Sequence, residues 1–278
     1  LQPSEKRLFG VFFLYSQAHG DGSLIKKAVF SEKLWYYIKV HNGKRAVRMR
    51  HMYCAHMCMM KEDKIMLVSV LGDSISTYEG YIPANYKLYY DEDRQKINGL
   101  ISVYDTWWAK VNQYLKAYLC VNNSFSGSKV SGEFPSASSE KRASALHKME
   151  HYPDVILVYM GTNDFGFGVP LETFAKDYRK MMERLRKNYP IARILCATIA
   201  RSYMKENPDW KFHEMYGGTA LEEYNQAIRD AVNERDDIVL MDLPEEGMRY
   251  ETLDGTHPTR RGHEELAQMW IGCLEKMR

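Results

Sequence analysis

The sequence predicts an α/β fold in which a parallel sheet is covered by helices on both faces. Three observations point to it. Five short apolar runs, at residues 65–71, 118–123, 154–160, 193–199 and 237–242, are continuous rather than alternating, the pattern of strands buried on both sides. Stretches with helical spacing of apolar residues lie between them, and strands alternating with helices imply a parallel sheet. Polar clusters then follow the first, second, third and last runs, and in such a sheet those ends share one edge.

The first run, Met66 to Leu71, stops abruptly at Gly72-Asp73-Ser74. Gly72 permits a tight turn, which sets Asp73 and Ser74 just beyond the carboxyl end of the strand, where open α/β sheets bind ligands. Alone, this stretch reads first as a strand followed by an N-capping Asp or Ser. The connection at 75–103 is long for a compact domain and holds Tyr78-Glu79-Gly80-Tyr81-Ile82-Pro83, then Tyr86, Tyr89, Tyr90 and Asp91-Glu92-Asp93. It reads as a functional loop that walls the site, its acidic triplet as a solvated stretch rather than a cation site. Helix-period stretches follow. Residues 104–117 carry Trp108, Val111 and Leu115, and residues 171–188 carry Phe174, Tyr178, Met181, Met182 and Leu185. Residues 219–234 carry Leu221, Tyr224, Ile228 and Val232, and residues 260–277 carry Leu266, Met269, Trp270 and Leu274. These stripes read as core.

Charge divides the 278-residue chain. Residues 1–60 hold 10 Lys+Arg against 3 Asp+Glu, whereas the whole chain has a net charge of only +2. The shift marks a boundary near residue 60, between a basic N-terminal extension (1–60) and the α/β domain (61–278). Within the extension, Leu8–Tyr15 is an apolar run after Lys6-Arg7, and Ser16-Gln17-Ala18 resembles a cleavage site. The reading favours the cytoplasm if synthesis starts near Met59, and export if residues 8–18 act as a signal peptide. His51, Cys54, His56 and Cys58 are zinc-capable, but no second pair follows at finger-like spacing, so neither metal nor cofactor is expected. The five cysteines form no disulfide framework, and Cys120 and Cys196 sit in apolar runs as small core residues. The basic extension matches no recognisable nucleic-acid-binding module, and no stretch is apolar enough to span a bilayer. Neither a nucleic acid nor an integral membrane contact is expected.

The strand-end clusters supply a chemistry. They are Ser74; Asn122-Asn123-Ser124-Phe125-Ser126-Gly127-Ser128; Gly161-Thr162-Asn163-Asp164; and Asp254-Gly255-Thr256-His257-Pro258. A serine hydroxyl is a poor nucleophile until a base takes its proton. His257 is the candidate base, and Asp254, three residues earlier, can fix its tautomer. The N–H groups of Ser74 and Gly127 and the Asn163 amide can face a developing oxyanion, each donor worth about 3–4 kcal/mol in the transition state.

With these residues in place, the sequence resembles the SGNH/GDSL hydrolases. Four signature stretches match in order: Gly72-Asp73-Ser74, the Ser-Gly stretch with Gly127, Gly161-x-Asn163-Asp164, and Asp254-x-x-His257. The likeness covers about residues 63–277; Ile75 replaces the Leu of the family's common name. It implies a three-layer α/β/α sandwich on a five-stranded parallel sheet, flavodoxin-like, with Ser74, His257 and Asp254 as triad. Glu79-Gly80-Tyr81 and Asp105-Thr106-Trp107-Trp108 look like a subgroup of bacterial hydrolases whose substrates are mostly unassigned. Tyr78, Glu79, Trp107 and Trp108 are the expected substrate contacts, the two tryptophans being alternatively core at a helix start. Asp73 and Asp164 are expected to organise backbone N–H groups, and His147, His151, His213 and His263 to lie on the surface. The implied activity is hydrolysis of short acyl esters, O-acetyl groups on carbohydrates first among them. The alternatives are a longer-chain thioesterase or lysophospholipase, and a catalytically silent carbohydrate-binding protein. The expected partner is a small-molecule or carbohydrate ester.

Overall fold

The computed structural model describes residues 65–209, 219–243 and 248–277. The expectations for the basic extension, its signal-like run, its His/Cys cluster and His213 lie outside the described residues. The central sheet contains β1 (Leu67–Gly72), β2 (Tyr118–Ser124), β3 (Val155–Tyr159), β4 (Arg193–Ala197) and β6 (Ile238–Met241). Their order is β2-β1-β3-β4-β6 and every pairing is parallel. All five apolar runs are therefore strands. The order reverses between β1 and β3, the kind of switch point at which a crevice opens beyond the strand ends.

Each strand divides its side chains between two cores. Ile156 and Val158 face one side with Leu71, Ile194 and Cys196. That side is covered by α5 (Leu171–Asn188) and α6 (Leu221–Asn233) through Phe174, Tyr178, Met181, Met182, Leu185, Tyr224 and Ile228. Val155, Leu157 and Tyr159 face the other side with Val68 and Val70. There α2 (Trp107–Leu115) and α7 (Arg260–Lys276) pack through Trp107, Trp108, Val111, Leu266, Met269 and Trp270. Sheet and two helix layers make the three-layer sandwich that the sequence implied.

Two features differ from expectation. The connection after Ser74 is not all loop, because it contains α1 (Glu92–Asn98). Asp91 caps that helix by accepting from Arg94 N, and Glu92 and Asp93 occupy its first turn. The acidic triplet is thus a helix start, where carboxylates satisfy free N–H groups and oppose the helix dipole. Asp254 also does not follow the last sheet strand directly. β7 (Tyr250–Thr252) intervenes, paired in parallel with β5 (Ser202–Met204), which precedes β6, and this two-stranded ladder delivers the Asp254–His257 loop to the carboxyl edge. Among the described residues no helix is long and apolar enough to cross a membrane.

Candidate active site

The turn after β1 is set by space. A Cβ on Gly72 would lie 2.5 Å from Ser76 Cβ and 2.7 Å from Ser124 Oγ, so only glycine lets the chain fold back at this point. Residues Ser74–Ser76 form one 3-10 turn, capped by Asp73 Oδ1, which accepts from Ile75 N at 3.0 Å. Two indoles brace it from below. Trp107 Nε1 donates to Ser76 Oγ at 3.2 Å and Trp108 Nε1 to Ser76 O at 3.1 Å.

The turn points Ser74 Oγ at His257, with Nε2 at 2.9 Å. His257 Nδ1 lies 2.7 Å from Asp254 Oδ2. A carboxylate cannot donate, so this contact puts the ring proton on Nδ1 and leaves the Nε2 lone pair facing the serine hydroxyl. Asp254 Oδ1 accepts from Thr256 N at 3.0 Å and from His257 N at 2.8 Å. Partial burial works against its charge, but the hydrogen bonds from His257 and Thr256 win and hold the carboxyl well below the usual range. Tyr89 completes this end, with its hydroxyl donating to Asp254 Oδ2 at 3.0 Å and its ring stacked on His257.

Beyond β2, Gly127 is exposed with φ +79, a backbone that side chains disfavour. The loop that follows is held by Asp164, whose Oδ2 and Oδ1 accept from Val130 N at 2.7 Å and Ser131 N at 3.1 Å. Asp73 and Asp164 thus both organise backbone N–H groups, as expected. Asn163 Nδ2 donates to Ser128 O at 2.9 Å and makes a longer contact of 3.4 Å to Asp73 Oδ2. Burial pushes Asp73 up to about 7, against the opposing effects of the Ile75 N–H and nearby Arg142.

Arg142 is the residue that the sequence did not announce. It is fully buried and gathers the strand ends. Its Nη2 donates to Gly72 O at 2.7 Å and Asn123 O at 2.5 Å. Its Nη1 donates to Ser128 Oγ at 2.7 Å and Pro135 O at 2.8 Å, and its Nε to Asn123 Oδ1 at 3.1 Å. Burial lowers its pKa to about 10, and it remains a cation at neutral pH. It follows β2 in a stretch without period, so no pattern singled it out.

The expected substrate contacts divide. Trp107 and Trp108 are buried, and Trp107 stacks on Trp270 with centroids 5.0 Å apart. They offer no free face to a sugar. As the first two residues of α2, both turn toward the sheet, so the core reading replaces the binding one. Tyr78 is also buried, its ring edge on Tyr81, which leaves little face for a ligand. Glu79 is exposed, with its N–H donating to Tyr90 O at 3.2 Å. The accessible aromatic surface near Gly127 is instead a cluster of Tyr86, Phe125 and Phe134, with centroids 5.1–6.0 Å apart and Phe134 40 % exposed. His151 is exposed and His147 half-buried, but His263 is not on the surface. It is fully buried in α7 and accepts from Trp107 N at 3.2 Å; burial drives it down to about 3. Among the described residues, no three His, Cys, Asp or Glu side chains cluster as a metal site.

Known proteins supply an independent comparison. The family described as GDSL-like Lipase/Acylhydrolase matches residues 66–271. A crystal structure from Bacteroides ovatus, of a protein called a GDSL-like lipase, is 26% identical with a TM-score of 0.58, covering 76% of this chain and 99% of its own. A family two carbohydrate esterase from Clostridium thermocellum, in complex with cellohexaose, is 18% identical with a TM-score of 0.54, covering 76% of this chain and 64% of its own. A carbohydrate esterase family 3 protein from Talaromyces cellulolyticus is 15% identical with a TM-score of 0.51, covering 77% of this chain and 98% of its own. The latter two show likeness of fold. No curated protein matches the chain.

Proposed function

Since the chain belongs to the GDSL-like lipase/acylhydrolase family, we propose that it is a serine esterase that removes short acyl groups, acetyl first among them, from carbohydrate esters. The observation that carries the reading is the unbroken line Ser74 Oγ to His257 Nε2 to Asp254, at 2.9 and 2.7 Å. In the proposed reaction, Ser74 Oγ attacks the ester carbonyl as His257 Nε2 takes the hydroxyl proton. Asp254 stays ionised, holds the tautomer and stabilises the imidazolium. The tetrahedral oxyanion lies among the N–H groups of Ser74 and Gly127 and the Asn163 amide. One Asn163 hydrogen serves Ser128 O, and the other, held only by the 3.4 Å contact to Asp73, is the one to turn to the oxyanion. His257 then protonates the leaving alkoxide. In the second half it takes a proton from water, the hydroxide attacks the acyl-Ser74, and the carboxylic acid leaves with Ser74 reprotonated.

Two features favour a sugar ester. The fold neighbours include two carbohydrate esterases. The Tyr86–Phe125–Phe134 cluster beside the Gly127 loop offers aromatic surface for the apolar face of a sugar ring, with Lys141 Nζ covering one face of Phe134 at 4.1 Å from its centroid. The test is hydrolysis of p-nitrophenyl acetate, butyrate and octanoate, with acetate release from acetylated sugars, by wild type and Ser74→Ala. Ser74-dependent turnover falling steeply beyond acetate supports the reading. A preference for octanoate moves the protein to the longer-chain alternative.

A further inference from the structure

Tyr89 belongs to none of the motifs, yet it touches two members of the proposed triad and is tied to the third. Its ring lies flat on His257, with centroids 3.4 Å apart and planes 9° from parallel. Its hydroxyl reaches the same oxygen, Asp254 Oδ2, that His257 Nδ1 contacts. Its N–H donates at 3.0 Å to Thr77 Oγ1, and Thr77 Oγ1 in turn donates at 2.9 Å to Ser74 O. The next residue, Tyr90, sends its hydroxyl to Pro258 O at 2.8 Å, immediately after His257. The pair Tyr89–Tyr90 therefore bridges the nucleophile turn and the histidine loop, which lie 183 residues apart in the chain.

Resting on the reading of His257 as the base for Ser74, we propose that Tyr89 is a positioning residue for that base, its ring fixing the imidazole plane and its hydroxyl fixing Asp254. Hydrogen bonds to Nδ1 and Nε2 leave the imidazole free to rock about the axis between them. A flat ring against one face removes that motion, and proton transfer is sensitive to such small misplacements. A tyrosine that merely filled space would need neither the parallel plane nor the shared carboxylate oxygen.

The charged and titratable groups around this pair are Asp254, Arg94, Tyr90, His263 and Asp73. Arg94 sits 5.5 Å from the Tyr89 ring centroid and remains there if only the hydroxyl is removed. His263 stays neutral above about pH 3, and burial keeps Tyr90 neutral. Asp73 titrates in wild type and variants alike, so differences between them isolate the hydroxyl. Without that hydroxyl, Asp254 loses a donor and its charge acts more fully on the imidazolium. The acid limb of any His257-dependent rate then moves to higher pH.

The experiment is the rate of Ser74 modification by a fluorophosphonate probe, followed by mass spectrometry between about pH 5 and 9, where histidine titrates. It needs no natural substrate. Tyr89→Leu is expected to label roughly 10–100-fold more slowly than wild type, as a loosened general base does. Tyr89→Phe keeps the ring and is expected to stay within about 3-fold at the plateau, with its acid limb shifted upward. A Tyr89→Leu variant that labels as fast as wild type overturns the proposal. If that variant melts early, the Tyr89→Phe profile decides alone, and an unmoved acid limb overturns the proposal. The wild-type arm reports separately on the esterase reading. Ser74-specific labelling that is lost in His257→Gln supports it, and its absence overturns that reading and takes the role of Tyr89 with it.

Discussion

Replacing Arg142 with Met keeps a flexible chain of similar length and removes every donor that joins the strand ends. The carbonyls of Gly72 and Asn123 are buried and take two of the guanidinium bonds, and Pro135 O takes a third. Ser128 Oγ and the Asn123 side chain can turn to other partners, but fixed carbonyls cannot. Gly72 O keeps its bond from Phe125 N and Pro135 O lies partly in solvent, so Asn123 O is the acceptor most fully orphaned, at about 1–3 kcal/mol, and breaking a buried charged network typically costs about 3–5 kcal/mol. Arg142→Met is therefore expected to lose about 4 kcal/mol, and Tm to fall by roughly 10 °C in a domain of this size. Arg142→Lys keeps the charge but offers one nitrogen where the structure uses three, so it should recover less than half of the loss. Urea unfolding followed by tryptophan fluorescence is the assay, because Trp107, Trp108 and Trp270 are all buried. A loss below about 1 kcal/mol, the scale of an ordinary surface change, would refute the argument that this one side chain holds the strand ends together.

Other outcomes follow from the same geometry. Asn163→Ala should lower kcat by about 10²–10³, with KM changed much less, since a donor that acts on the oxyanion acts in the transition state; steady-state kinetics on a short acyl ester would show it. The pKa of buried Asp73 is about 7 against 3.8 for the free group, so between those values the folded state holds a proton that the unfolded state has released. Its contribution to stability is present at low pH and is lost as pH rises toward 7, by about 1.4 kcal/mol per pH unit. Asp73→Asn should abolish that slope, and urea midpoints of both proteins at pH values across this window would reveal a wild type that weakens relative to the variant. Equal slopes would place a permanently ionised carboxylate there.

The strands were legible because a buried parallel strand must be apolar on both faces, and runs such as Val155–Tyr159 leave no other reading. The proposed triad could be assembled from the sequence because its members sit at strand ends with fixed local spacing: Asp254 and His257 are three residues apart, and Ser74 follows β1 closely. What escaped was long-range. Arg142 and Tyr89 contact residues distant in the chain, and no local pattern marks them. The β5–β7 ladder has three residues per strand, too few to show a period. Trp107 and Trp108 were ambiguous because a helix start beside a site can face either way, and here it faces the core. His263 was missed for a related reason: it lies on the apolar face of α7, where burial keeps a histidine neutral.

The central claim is that Ser74 carries the acyl group. The most direct measurement is rapid quench of wild type mixed with a short activated ester, followed by peptide mass spectrometry. The account predicts an acyl mass on the peptide that contains Ser74, absent from Ser74→Ala and slow to appear in His257→Gln. Ester turnover that persists unchanged in Ser74→Ala, or an acyl group found on another residue, would contradict it.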